Sequence, residues 1–186
     1  MLVEHFHNTH KSAGSYPERL QSILRLKDAE IAFNEISTWP SYEQTPLVSL
    51  NKIAAEIGIK EIYYKDESSR FGLGSFKALG GTYGVLRFIK DVLEEEFGKT
   101  VAIEDIRNGK YSNNISKYTV TTATDGNHGR SVAFGAKLFG CKCQIYIHSE
   151  VSQGRHDAIE NLDARVVRVD GNYDKSVEIC KKESNL

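Results

Sequence analysis

Cysteine is scarce in this sequence. Its 186 residues hold three, Cys141, Cys143 and Cys180. So small an odd number gives no disulfide framework and fits a reducing, cytoplasmic compartment. The Cys141–Cys143 pair offers at most two sulfur ligands and reads as inert thiols ahead of a metal or redox pair. Long apolar runs are also missing. No stretch approaches the ~20 apolar residues of a membrane helix. The opening Met1 to His10 (MLVEHFHNTH) has no signal-peptide core. His5, His7 and His10 lack the helical spacing of a zinc motif. A surplus of one charge is missing too. Lys and Arg number 24, Asp and Glu 25, for a net charge of -1. That excludes a strongly basic nucleic-acid binder as the default, so neither nucleic acid nor membrane is an expected partner. There is no G-x-x-x-x-G-K-[ST], no G-x-G-x-x-G, and no G-x-S-x-G elbow.

What remains is globular. Apolar residues make up 40% and charged residues 26%, and the length suits one domain or slightly more, with a real core. Residues 16–35 read as a helix, broken by Trp39-Pro40. Thr45-Pro46 reads as a capped helix start, with Leu47, Leu50, Ile53, Ala54 and Ile57 at helical spacing and Gly58 as the stop. Residues 59–65 (IKEIYYK) read as a strand and 66–75 as a polar loop. A long helix spans 76–97, in which Leu79, Tyr83, Leu86, Phe88, Ile89, Val92, Leu93 and Phe97 recur. Gly80, Gly81 and Gly84 cost about 1 kcal/mol each inside it, which predicts a close approach to its first turns. The run Glu94-Glu95-Glu96 is a solvated face. After a connection at 98–117 with a short helix at 103–107, the chain becomes regular. Strands at 118–122, 144–148 and 165–169 alternate with helices at 128–139, 154–162 and 173–183. Such βα units predict a parallel sheet covered by helices, with ligands at the carboxyl ends of the strands. The loops after Lys65, Thr122 and His148 are the places to look.

Two of those loops can carry chemistry. In SRFGLGSFKALGG (69–81), Lys77 stands at a helix amino end, which disfavours the ammonium; burial would act the same way. Such a lysine can attack a carbonyl and hold it as a Schiff base, or it is simply solvated. Ser75 is placed to cap the helix, and Phe71 and Phe76 to wall the site. In TTATDGNHGR (121–130), Gly126 and Gly129 permit tight turning and Asn127 offers an amide. Asp125 can serve as a base, a partner for a substrate ammonium, or a cap. His128 reads as a hydrogen-bonded structural residue.

Together these motifs resemble the fold-type II, tryptophan-synthase-β-like pyridoxal-phosphate enzymes. SRFGLGSFKALGG is similar to their cofactor-lysine segment, and TTATDGNHGRSVAFGAKLFG (121–140) to their asparagine loop. Within that superfamily RFGL-x-x-FK-x-LGG, TDGNHG, NHGR-x-VA-x-x-A and RVVRVDGNYD (165–174) are similar to the diaminopropionate ammonia-lyases. The resemblance runs from about residue 42 to 183.

The resemblance implies an α/β fold of three-layer αβα parallel sheets, with pyridoxal 5'-phosphate as cofactor. It implies conversion of 2,3-diaminopropionate to pyruvate and ammonia by α-proton abstraction and β-elimination. Lys77 would bind the cofactor aldehyde and serve the L-isomer. Asp125 would act on the D-isomer, where threonine and serine dehydratases, the alternative reading, carry a serine or alanine. Asn127 would bond the pyridine 3-oxygen, with Phe76 and Gly126 shaping the pocket. Residues 1–98 would open the larger domain, 99–115 connect, and 116–186 form a smaller βα domain. The larger domain would be incomplete, with only its opening portion, and the smaller truncated, because a clustered-glycine phosphate cup does not occur after Gly171. The chain thus resembles an amino-terminal fragment of about half such an enzyme, expected to be inactive alone, as a non-catalytic truncated fragment or as half of a split enzyme. Homodimers are usual in the family, and a complementing carboxyl-terminal chain is a possible partner.

Overall fold

The computed structural model of the chain describes residues 7–11, 14–124 and 126–184. Asp125, and the opening six residues with His5 among them, lie outside the described residues. The chain divides into two compact units, residues 1–38 and 39–186.

The first unit carries α1 (Glu18–Gln21) and α2 (Leu26–Ile36) in place of the single helix expected over 16–35. Arg25 makes the break. Its backbone is extended (φ -124°, ψ 156°), and a new helix starts there. The Asp28 carboxylate accepts from the Arg25 N–H at 3.0 Å and from its guanidinium at 2.9 and 3.1 Å. This reach back from the first turn satisfies a donor that a continuous helix would have used internally.

The second unit opens with an antiparallel ribbon, β1 (Leu47–Ser49) against β2 (Tyr63–Lys65), Val48 opposite Tyr64. Helix α3 (Asn51–Ile57) joins them, and Gly58 (φ 73°) ends it. The helix expected from Thr45-Pro46 therefore starts later. The Thr45 hydroxyl is taken by Glu67 and Arg70 rather than by a helix amino end. The Pro46 carbonyl accepts from the Asp66 N–H at 2.9 Å, which extends the ribbon.

Helix α4 (Lys77–Phe97) follows a 3-10 turn at Arg70–Gly72 and ends at Gly98 (φ 63°). Its buried stripe is Ala78, Thr82, Val85, Leu86, Ile89 and Leu93. Phe88, counted with the apolar repeat, is 47% exposed. Two short helices follow, α5 (Ile103–Arg107) and α6 (Ser112–Ile115), the second unforeseen in the sequence.

The main sheet is parallel, in the order β3 (Thr119–Ala123), β4 (Lys142–His148), β5 (Arg165–Val169). It alternates with α7 (Asn127–Phe139), α8 (Gln153–Glu160) and α9 (Tyr173–Ser184). Register sorts the faces. Ala123, Tyr146 and Val167 lie side by side across the three strands and pack with Val169, Ile179 and Cys180 under α9. The neighbouring positions of β4 face the other way. A Cβ placed at Gly129 would meet Ile145 Cγ2 at 3.1 Å and Ile159 Cδ1 at 3.3 Å, so that face carries α7 and α8. The result is three layers, helix on sheet on helix. Ile145, Ile147 and Ile159 are fully buried, each worth about 1.5–3 kcal/mol. Among the described residues no helix is long and apolar enough to cross a membrane.

Candidate active site

Lys77 begins α4. Its N–H donates to Ser75 Oγ at 3.2 Å, the capping expected of that serine. Its side chain is exposed, and Phe76 beside it is 64% exposed. Phe71 turns the other way. It stacks on Phe134 at 5.4 Å and tilts against Trp39 and Tyr42 at 6.0 and 6.2 Å. Phe71 has φ 49°, a left-handed conformation that a bulky residue holds only when its surroundings impose it. Those surroundings include Arg70, 6% exposed. Its guanidinium donates to both Glu67 oxygens at 2.7 and 2.9 Å, to Thr45 Oγ1 at 2.9 Å and to the Glu43 carbonyl at 2.8 Å. It also lies 5.4 Å from the Tyr42 ring centroid. This buried clamp fixes the loop that delivers Lys77.

Asn127 begins α7, and its side chain is exposed. The loop before it hangs from Thr124, 3% exposed. Thr124 Oγ1 accepts from the N–H groups of Gly126 and Gly129, both at 3.2 Å. The Thr124 N–H in turn donates to the Tyr146 carbonyl at 2.9 Å. A Cβ at 129 would stand 2.3 Å from Thr124 Cγ2, so only glycine admits this threonine. Gly126 lies beside Arg155 of α8, whose Cδ and Nε would be 3.8 and 3.9 Å from a Cβ there. His128 is exposed.

The two loops meet through Ser131. Its hydroxyl donates to the Lys77 carbonyl at 2.6 Å, and the Thr82 N–H donates to it at 3.1 Å. Asn127 is one turn earlier on the same face of α7. Further along, a Cβ at Gly135 would stand 3.0 Å from Thr82 Cα and 3.1 Å from Val85 Cβ. The contacts advance together along both helices, so α4 and α7 run parallel with their amino ends side by side. The close approach predicted from the α4 glycines falls on Gly81, 2.3 Å from Ser131 Oγ were it alanine. Gly80 and Gly84 have nothing within 4 Å. Two amino ends place partial positive charge and first-turn N–H groups where the lysine and asparagine emerge, a setting that suits an anionic ligand.

The third loop to inspect, after β4, is tied down. Ser149 Oγ donates to the Gly171 carbonyl at 2.9 Å, and Arg168 donates to the Ser149 and Val151 carbonyls at 2.9 and 2.6 Å. Among the described residues Arg130 Nε and His148 Nδ1 are buried without a hydrogen-bond partner. On α8, His156 Nδ1, half-buried, lies 3.2 and 3.9 Å from the exposed carboxylates of Asp157 and Glu160.

Of the residues expected at the site, Lys77, Phe76, Gly126 and Asn127 stand at these adjacent helix starts, and Asp125 lies outside the described residues. Arg70, Glu67, Thr124 and Ser131 were not singled out. A basic residue three positions after a glutamate in a glycine loop, and a threonine two and five residues before glycines, are the signals that could have found three of them.

Parallel βα units with a lysine and an asparagine loop at adjacent helix starts define a class. The family model for the pyridoxal-phosphate dependent enzyme matches residues 38–185, and the chain belongs to that family. It is 40% identical over 143 residues to diaminopropionate ammonia-lyase of Escherichia coli, covering 77% of this chain and 35% of that protein. To the Salmonella typhimurium enzyme of the same name it is 35% identical over 143 residues, with the same two coverages, 77% and 35%. The crystal structure of the Escherichia coli enzyme in apo form superposes with a TM-score of 0.75 at 38% identity, covering 86% of this chain and 42% of that one. The chain therefore spans about two-fifths of the length of these relatives.

The donor set fits the family's cofactor, pyridoxal phosphate, at its aldehyde end. The Lys77 side chain offers a primary amine of the kind an aldehyde would take, and the Asn127 side chain an amide of the kind a ring oxygen would take. Both sit at one end of a helix pair whose backbone is locked.

Proposed function

We propose that this chain carries the lysine–asparagine part of a pyridoxal-phosphate-dependent ammonia-lyase that converts 2,3-diaminopropionate to pyruvate and ammonia. The observation that carries the reading is the Ser131 hydroxyl bond to the Lys77 carbonyl, which sets the two motif-bearing helices side by side. The identity to the Escherichia coli lyase supports the choice of substrate.

When bound, the cofactor supplies an electron sink that acidifies the α-carbon of an attached amino acid. Lys77 would hold it through its amine, and Asn127 would donate its amide N–H to the ring oxygen. The Lys77 amine would also be the base that takes the α-proton of the L-isomer. Asp125 would take it from the D-isomer, on the opposite side. Phe76 and Gly126 would line the pocket, and the paired helix amino ends favour the substrate's carboxylate. Residues 1–98 would belong to the larger domain and 116–186 to the smaller, joined by 99–115. The three thiols and even charge favour a cytoplasmic setting.

A second reading is that the chain acts with a complementing carboxyl-terminal chain, within a dimer.

Incubation of the purified chain with pyridoxal phosphate tests the first reading. An absorption band near the visible edge, absent in Lys77→Ala, and pyruvate formed from either diaminopropionate isomer are expected. No band and no pyruvate in wild type would refute it. A band without pyruvate, with activity restored by a carboxyl-terminal chain, establishes the second reading.

A further inference from the structure

Ser131 and Thr82 form a reciprocal clasp between α4 and α7. Ser131 is 1% exposed and Thr82 fully buried. The Ser131 hydroxyl donates to the Lys77 carbonyl at 2.6 Å and accepts the Thr82 N–H at 3.1 Å. The Thr82 hydroxyl donates back to the Ser131 carbonyl at 2.9 Å. One serine oxygen thus bridges two backbone groups of α4 and ends on the carbonyl of the lysine itself. Gly81 makes room for it, since a Cβ there would lie 2.3 Å from Ser131 Oγ.

Packing alone does not require this hydroxyl. One turn further on, Gly135 brings the helices together against Thr82 and Val85 through apolar contact. What the hydroxyl adds is local. A lysine amine rides on a flexible four-carbon stem, so its reach is defined only when its backbone is fixed. The first turn of a helix is also where backbone groups most lack partners.

We propose that Ser131 is a positioning residue: its hydroxyl fixes the Lys77 backbone against α7, and so sets the spacing of the Lys77 amine and the Asn127 amide at which one cofactor is held by both. The proposal rests on the reading of Lys77 and Asn127 as cofactor-binding residues, and it adds what aligns them. Misplacement by a fraction of the reach of a hydrogen bond is enough to matter, because holding a group in geometry accounts for much of what such sites do.

The test uses the whole chain and three variants. Ser131→Ala removes the hydroxyl. Thr82→Ser keeps every polar contact and loses one methyl. Ser131→Cys replaces the hydroxyl by a weak thiol donor at nearly constant shape, and stands in with the same expected outcome if Ser131→Ala does not fold. Melting by circular dichroism establishes which variants are folded. Hydrogen exchange of the amides at 80–83, without cofactor, reports the clasp. Pyridoxal phosphate is then titrated and trapped with borohydride, and peptide mass spectrometry gives the fraction trapped at Lys77 against all other lysines. Folded Ser131→Ala is expected to exchange faster at 80–83, and to lose about tenfold in preference for Lys77, equivalent to ~1.4 kcal/mol. Thr82→Ser should match wild type. If Ser131→Ala loosens the turn yet traps at Lys77 with wild-type preference, the clasp is only structural and the proposal falls while the cofactor reading stands. If wild type itself shows no preference for Lys77, the cofactor reading falls and takes the proposal with it.

Discussion

Arg70 and Glu67 are joined by two parallel hydrogen bonds, Nε to Oε2 at 2.7 Å and Nη2 to Oε1 at 2.9 Å, almost wholly out of water. The Arg70 hydrogen bond, against the opposing effect of burial and helped by the Thr45 hydroxyl, holds the Glu67 carboxyl down to about 2 from 4.5. A depressed carboxyl contributes its stability above its unfolded pKa and loses it as pH falls through the folded one. The window here is pH 4.5 to about 2. Over it the chain should lose on the order of 3 kcal/mol, at ~1.4 kcal/mol per pH unit. Urea denaturation at several pH values checks this. In Glu67→Gln the fall across that window should be much shallower.

Gly81 and Gly84 sit three residues apart on one helix and should respond oppositely to alanine. Gly81→Ala drives a methyl into Ser131 and should cost about 1–3 kcal/mol. Gly84 is exposed, with nothing near a Cβ, so Gly84→Ala should gain about 1 kcal/mol from helix propensity. Denaturant midpoints of the two variants decide it. A stable Gly81→Ala would contradict the close crossing of α4 and α7.

Thr124→Val keeps shape and removes the oxygen that accepts from Gly126 and Gly129. Two donors at the start of α7, on half-buried Gly126 and buried Gly129, lose their partner, at a cost of about 1–2 kcal/mol. Hydrogen exchange should quicken at the amides of Gly126 and Gly129 more than in the β4 strand. Equal protection in variant and wild type would remove Thr124 from its role as the anchor of the loop.

Burial pushes the Cys141 thiol up to about 11 and the Cys143 thiol up to about 12. Thiolate, the reactive form, is scarce for both at neutral pH. At pH 8 a disulfide reagent should modify these two far more slowly in the folded chain than in urea, read by peptide mass spectrometry. Fast labelling of folded Cys143 would show that the β4 face is open.

Much of the fold is legible from periodicity. The strand at 165–169 coincides with β5, and the long helix with α4 to within a residue. Their boundaries are marked by local chemistry: glycines that alone take the left-handed caps at 98 and 140, and β-branched runs that suit a buried parallel strand. Where the reading of the sequence departs from the structure, a distant partner decided. Thr45 looks like a cap because a cap is local; it serves Arg70, 25 residues away. The break at Arg25 rests on one carboxylate reaching back three residues.

The site divides along the same line. By itself the sequence determined the chemistry on offer, since a lysine after a glycine loop and an asparagine between glycines are choices of residue type, readable in order. Only the tertiary structure decided that the two stand together. That depends on Ser131 meeting Lys77 across 54 residues of chain, and on Gly81 leaving space for it. Hydrogen bonds and steric fit between distant segments leave no period in a sequence, because they belong to the helix pair and not to either helix. The few cysteines divide in the same way: their number gives no disulfide framework, but the burial of Cys143 in β4 and of Cys180 on α9, not their spacing, sets what they can do.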